Sequence, residues 1–240
     1  MKKIVAVIPA RYESSRFPGK PLAVITGKTM IHRVYERVKC VECFEQVIVA
    51  TDDDRIKDEV ESFGGIAVMT GECTCGTERV FEAVKNIDAD IIINVQGDEP
   101  LIKKEMIMDL VNAFSDESVY MATLKKRIEL QREIEATNVV KVITDCNDDA
   151  IYFSRYTIPF NRENMKTTYY KHIGIYGYTK SFLEKYVSMP ESFLERTEKL
   201  EQLRVLENGY KIRVKETQYE SVGVDLPEHI KIVEEELANE

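Results

Sequence analysis

An α/β fold is what this sequence predicts: a mostly parallel sheet with helices on both faces, plus a smaller antiparallel portion. Three observations predict it. Four apolar runs of strand length fall in the first hundred residues, at 3–8, 46–51, 66–69 and 91–95. Amphipathic stretches at helical spacing lie between them, the alternation that lays helices over a parallel sheet. Beyond Phe114 the runs become more polar and alternate, as in antiparallel strands with one face turned to water.

The run at 3–8 is continuously apolar, as expected of a strand covered on both faces. A basic, turn-rich loop follows, and then Met30, Ile31, Val34, Tyr35 and Val38 recur at three- and four-residue intervals, predicting a helix over 29–38. The strand at 46–51 ends in Asp52, Asp53 and Asp54, suited to cap a helix over 56–63. After the strand 66–69 and a loop over 70–76, Val80, Phe81, Val84 and Ile87 mark a helix over 77–87. The strand 91–95 runs directly into Gln96-Gly97-Asp98-Glu99-Pro100. Strands at 120–124, 139–143, 150–153 and 171–178 form the antiparallel portion, predicted to cover the mouth of the sheet. A helix over 194–208 stopping at Gly209, a strand over 210–216 and a last helix from Pro227 complete the pattern. With 240 residues and neither linker nor repeat, one domain over 1–240 is the expectation.

Composition excludes several classes. Thirty-three Lys and Arg against 42 Asp and Glu give a net charge of -9, which argues against a nucleic-acid or membrane partner. The first apolar run is too short for a signal peptide and no segment is long enough to span a bilayer, so a cytoplasmic protein is expected. The five cysteines are scattered, and Cys40-x-x-Cys43 lacks the second half of a zinc site, so neither a disulfide framework nor a metal cluster is expected from them.

The chemistry gathers behind the first strand. Arg11, Arg16 and Lys20 stand within ten residues of an otherwise acidic chain, with Ser14 and Ser15 between them. Guanidinium forks, an ammonium, hydroxyls and backbone N–H groups together suit a polyphosphate. Neither the Walker spacing nor G-x-G-x-x-G is present, and a solvated turn with three surface cations is the plain alternative. Position favours the phosphate reading, because open α/β sheets bind ligands at the carboxyl ends of their strands. Asp98, beside Gly97 at such an end, and Asp225, in Val222-Gly223-Val224-Asp225, are then candidate oxygen ligands for Mg2+, which takes one or two carboxylates plus phosphate oxygens. Read alone, each would be a turn or cap residue. His172, Gly174 and Tyr176 share one strand face, a small residue between two polar ones, and can floor a polyhydroxylated ligand.

The run I-P-A-R-Y-x-S-S-R-F-P-G-K-P-L, from Ile8 to Leu22, resembles the nucleotide loop of the 3-deoxy-manno-octulosonate (Kdo) cytidylyltransferases, or CMP-Kdo synthetases. These are Rossmann-like, glycosyltransferase-A-like nucleotidyltransferases, and the resemblance extends from Ile4 to the last helix. It implies that Pro9, Ala10, Arg11, Ser14, Ser15, Arg16, Lys20 and Arg79 bind CTP. It also implies that Asp98 and Asp225 hold magnesium and act with Lys20 in catalysis, and that Gln96, His172, Tyr176, Glu201 and Gln202 bind the sugar. From helical pattern alone Glu201 and Gln202 would be surface residues. The family reaction is attack of the sugar's anomeric hydroxyl on the α-phosphorus of CTP with loss of pyrophosphate, supplying lipopolysaccharide or capsule synthesis. A homodimer is implied, with residues 120–180 as the sugar-side and dimer portion. The sequence departs from the family at Cys73-Thr74-Cys75, where members usually carry a histidine, then one residue, then serine. The acceptor thus stays open between Kdo, its 8-amino analogue and another ulosonate or nonulosonate. A non-catalytic nucleotide-binding regulator is the reading from a different class.

Overall fold

The computed structural model describes residues 2–14, 16–220 and 222–239. Ser15, expected in the nucleotide loop, lies outside the described residues. The chain divides into two compact units, Met1–Met108 with Glu220–Glu240, and Asp109–Tyr219.

The first unit begins with strand β1 (Ile4–Ala10), followed by a short hairpin of β2 (Val24–Ile25) and β3 (Lys28–Thr29). Then α1 (Met30–Lys39), β4 (Gln46–Thr51), α2 (Asp54–Ser62), β5 (Ile66–Met69), α3 (Gly76–Val84) and β6 (Ile91–Asn94) alternate as the apolar pattern requires. Helix α4 (Lys104–Asn112) leads out of this unit. The four longer strands are parallel in the order β6, β1, β4, β5, with Val7 opposite both Ile48 and Asn94. Val5, Ala6, Val7 and Ile8 are all buried, so both faces of the central strand are covered, which accounts for a run that is apolar at every position rather than at alternate ones. Thr29 caps α1 by accepting from the His32 N–H, and Asp53 caps α2 by accepting from Arg55 N–H.

The second unit contains β7 (Met121–Arg127), α5 (Gln131–Glu135), β8 (Lys141–Thr144), β9 (Ala150–Ser154), β10 (Tyr170–Thr179), α6 (Lys180–Ser188), α7 (Phe193–Glu198), α8 (Leu203–Glu207) and β11 (Arg213–Glu216). Strand β10 pairs antiparallel with β7 and β8, and β8 with β9, as the alternating pattern predicts. β11, for which the sequence pattern carries no direction, runs parallel to β7. Lys141 is fully buried, its ammonium donating to the carbonyls of Ala136, Val139 and Arg155 at 2.9, 2.6 and 2.7 Å. The chain then returns to the first unit, whose last element is α9 (His229–Ala238).

The continuous helix expected over 194–208 is two helices. Ser192 and Glu195 form a capping box at the start of α7, and Lys199 ends it at φ 55°. Leu200 N–H then reaches back to the Glu195 carbonyl at 3.3 Å, the hydrogen bond of a left-handed helix stop. Leu200 and Leu203 are both buried by this turn. The glycine that usually announces such a stop is absent from position 199, so no signal for it exists in the sequence.

Candidate active site

In the first unit, the loop after β1 folds back on itself. Gly19, at φ 70°, donates its N–H to the Tyr12 carbonyl at 2.8 Å and starts the 3-10 turn Lys20–Leu22. A side chain at Gly19 would meet the Tyr12 ring at 3.2 Å, and that ring is covered on its other approach by the Arg55 guanidinium, 3.3 Å from the centroid. The loop is thereby tied to α2, and Lys20 points from a fixed backbone.

The Lys20 ammonium lies 2.5 Å from Asp98 Oδ2 and 3.9 Å from Asp225 Oδ1. Arg16 Nη2 reaches Asp225 Oδ1 at 2.9 Å. Two carboxylates 127 positions apart in the sequence thus share one cation. Asp98 is carried there by Gly97, whose missing side chain matters: a Cβ would stand 2.8 Å from the Pro9 carbonyl oxygen at the end of β1. Asp225 is brought by the Val224 N–H, which donates to the Asp98 carbonyl at 2.9 Å. Val224 itself is buried in an apolar cluster with Ile25, Met30, Leu101 and Val233. The cap of α9 is Glu228, so Asp225 is not a capping residue. Its backbone N–H donates to His229 Nδ1 at 3.2 Å. Exposed ion pairs contribute little to stability, and Arg16 and Asp225 side chains keep 63% and 49% of their surface, so holding the fold is a poor account of this arrangement.

These donors fit a divalent cation of the magnesium type. Both acids offer hard oxygen ligands from one side, and among the described residues no third acidic, histidine or cysteine ligand joins them. The remaining positions would fall to water and phosphate oxygens, the pattern Mg2+ favours.

The other residues expected on the nucleotide side divide. Arg11 is exposed just past the end of β1, Pro9 and Ala10 close that strand, and Ser14 accepts from the Phe17 N–H at 3.3 Å. Arg79 is buried, and its guanidinium donates to Asp52 Oδ2 and Thr70 Oγ1, both at 2.6 Å, bracing α3 against the ends of β4 and β5. Gln96 is half-buried and its amide donates to Asn94 Oδ1 at 3.4 Å. In the divergent loop, Thr74 donates its N–H and hydroxyl to Glu78 at 2.6 and 2.7 Å, tying the loop to the first turn of α3. Cys73 Sγ donates to the Gly71 carbonyl at 3.5 Å, and burial pushes the thiol up, so it stays neutral.

In the second unit, His172 and Tyr176 stand on the same stretch of β10 with ring centroids 5.5 Å apart. Enclosure by protein lowers the His172 imidazole to about 3, although the residue as a whole is only half-buried. Its Nε2 lies 3.0 Å from Thr123 Oγ1, whose single proton is directed to the carbonyls of Ile173 or Ile175 at 3.1 and 2.8 Å. The hydroxyl must therefore accept, Nε2 carries the hydrogen, and Nδ1 is left as an acceptor. Nothing in the sequence singles out Thr123, one residue of a strand-like run. Burial also raises the Tyr176 hydroxyl well above its usual range, helped by Tyr178 and the Glu201 carboxylate. Gln202 is 3% exposed, which corrects the surface placement expected from helical pattern, and its amide nitrogen has no hydrogen-bond partner among the described residues. The break at Lys199 is what turns it inward. A buried, unsatisfied amide is costly without a ligand to meet it.

A family model described as cytidylyltransferase matches residues 5–212. The chain is 49% identical to the 3-deoxy-manno-octulosonate cytidylyltransferase of Thermodesulfovibrio yellowstonii, with 96% of each chain covered. It is 52% identical to that of Solibacter usitatus over 97% of this chain and 93% of the relative. Among solved structures it is similar to CMP:2-keto-3-deoxy-manno-octonic acid synthetase complexed with CTP, at 43% identity and TM-score 0.94 over 99% of both chains. A 4-diphosphocytidyl-2C-methyl-D-erythritol synthase from Anaerococcus prevotii, 18% identical with TM-score 0.67, shares the fold. The chain therefore belongs to the 3-deoxy-manno-octulosonate cytidylyltransferases, within the cytidylyltransferase family.

Proposed function

We propose that this chain transfers CMP from CTP to the anomeric hydroxyl of Kdo, releasing pyrophosphate. The observation that carries the reading is the convergence of Lys20 on Asp98 and Asp225, beside Arg16, at the carboxyl ends of parallel strands. In this reading Arg11, Arg16 and Lys20 bind the triphosphate, with Pro9, Ala10 and Ser14 shaping the loop around it. As pyrophosphate leaves, these cations meet the charge that gathers on its oxygens. Asp98 and Asp225 would hold magnesium, which when bound polarises the phosphoryl group and lowers the pKa of the attacking hydroxyl. Arg79 serves the nucleotide side from behind, by fixing α3 through Asp52 and Thr70.

For the sugar, His172 offers a neutral ring with Nδ1 as acceptor, Tyr176 an un-ionised hydroxyl, and Gln202 an amide in need of an acceptor. Glu201 adds a carboxylate to the polar set of this unit. Hydroxyl groups are what such a mixture of neutral donors and acceptors suits. The neutral Cys73, where the family resemblance implies an imidazole, favours keeping the 8-amino analogue as a second acceptor to be tried.

Among the described residues no helix is long and apolar enough to cross a membrane, and a cytoplasmic setting that feeds lipopolysaccharide or capsule assembly is part of the proposal. So is a homodimer. Tyr156, Phe160 and Met165 of the second unit are 77%, 84% and 68% exposed, an apolar group suited to a partner subunit.

The test is pyrophosphate release and CMP-sugar formation from CTP and Mg2+ with Kdo, 8-amino-Kdo and a nonulosonate in parallel. Kdo is expected to be the preferred acceptor. Asp98→Asn and Asp225→Asn should each lower kcat by roughly 100- to 1,000-fold with the circular dichroism spectrum unchanged. Full turnover in both would remove the metal reading, and no turnover with any sugar would favour a regulator.

A further inference from the structure

We propose that Lys20 is a resident counter-cation that keeps a divalent ion off Asp98 and Asp225 until a triphosphate draws the lysine away. The inference rests on the reading of those two acids as metal ligands. Its basis is that the ammonium occupies the ground a metal ion would need, 2.5 Å from Asp98 Oδ2 and 3.9 Å from Asp225 Oδ1. A magnesium ion bound to the same oxygens at about 2.0–2.1 Å cannot share that position with an ammonium.

Charge decides which cation wins. Lys20 and Arg16 balance Asp98 and Asp225 two against two. A divalent ion added alone leaves an excess of positive charge at close range, which opposes its binding. A triphosphate reverses the balance, because it offers oxygens to both cations and brings more negative charge than the metal offsets. The lysine can change partners without moving the chain. Its backbone is fixed by hydrogen bonds from Lys20 N–H to the Phe17 carbonyl at 3.2 Å and from Ala23 N–H to its own carbonyl at 3.1 Å. Only the four-carbon stem has to swing. The two carboxylates meanwhile keep their places, since Gly97 against Pro9 and the Val224 N–H on the Asp98 carbonyl are backbone contacts that owe nothing to the lysine. The consequence is a binding order: metal and nucleotide enter as a coupled pair, and metal alone binds weakly. Coupling of this kind is reciprocal, so the metal must strengthen nucleotide binding by the factor that nucleotide strengthens metal binding.

Mn2+ uptake followed by electron paramagnetic resonance tests this without any turnover, in the absence of sugar, with and without saturating CTP and corrected for Mn2+ held by free CTP. The variants are Lys20→Met, Lys20→Gln and Lys20→Arg, each checked for a native near-ultraviolet circular dichroism spectrum. Without nucleotide, Lys20→Met and Lys20→Gln are expected to bind Mn2+ about tenfold more tightly than the wild type. Lys20→Arg, which keeps the charge, should remain as weak as the wild type. The gain in Mn2+ affinity that CTP confers should shrink in the two neutral variants. If both neutral variants bind Mn2+ alone no better than the wild type, the counter-cation role is overturned. Asp98→Asn and Asp225→Asn, run alongside, separate the two levels. If they weaken Mn2+ uptake in the presence of CTP, the metal reading stands and only the role of Lys20 falls; if neither does, both fall.

Discussion

At His172 the imidazole is held near 3 by burial, against 6.5 in an open chain, and this has a direction that can be worked out. Well above pH 6.5 the ring is neutral in both folded and unfolded chains and its titration contributes nothing to stability. As the pH falls from there toward 3, the unfolded chain takes up a proton that the fold excludes, so stability is lost with acid. The slope from this one group reaches about 1.4 kcal/mol per pH unit. His172→Asn should flatten the acid limb of denaturant-derived stability between pH 6 and 4 by up to one proton's worth, and the denaturation midpoint measured across that range checks it. The same burial bears on mechanism. A ring that does not charge near neutrality serves as a hydrogen-bonding group, with Thr123 fixing its tautomer, and not as an acid or base. Lys20 differs in kind, because its geometry changes meaning with what else is bound.

Among the elements, the left-handed turn between α7 and α8 is the most informative. Lys199 adopts φ 55°, a conformation that costs a non-glycine residue about 1–2 kcal/mol. Lys199→Gly should raise stability by about 0.5–1 kcal/mol in chemical denaturation while leaving Gln202 buried and turnover unchanged. That turn also explains why some of the site could be read from sequence and some could not. Strands β1, β4 and β6 and helices α1, α2 and α3 were legible because burial on both faces, 3.6-residue periodicity and short caps each leave a local mark, while the edge strand β5 showed only as a short apolar run. The basic loop was legible because its cations lie close together in sequence and follow a buried strand. The parallel pairing of β11 with β7 was not, since strand direction depends on a distant partner. Helix α6 and the hairpin of β2 and β3 were missed as well. The pairing of Lys20 with Asp98 and Asp225 rests on Gly97 lying against Pro9 and on one backbone hydrogen bond from Val224. Neither leaves a periodic trace, and in the sequence the two acids are joined only through the basic loop and, after it, through the family resemblance. Arg79 shows the opposite limit: a cation at a helix start suits an anion by pattern, yet Asp52 and Thr70 occupy it directly.

For the molecule as a whole, the net charge of -9 means that an anionic nucleotide is met by local cations against an unfavourable background. The exposed apolar side chains of the second unit give the assembly a test. On the proposed dimer, replacing Phe160, 84% exposed, by Asp should shift sedimentation from dimer toward monomer without lowering the stability of the subunit; an unchanged dimer would move the interface elsewhere, and a wild-type monomer would remove the dimer from the proposal. The first unit, moreover, is closed by a segment that follows the second in the chain, and the link between the Val224 N–H and the Asp98 carbonyl is part of that closure. During synthesis a ribosome must therefore produce the whole intervening unit before the second carboxylate emerges. A nascent chain holds most of the sheet but only half of the acidic pair, so on the proposed reading competence to handle a metal nucleotide arrives late and all at once, on a polypeptide whose other half has already had time to fold.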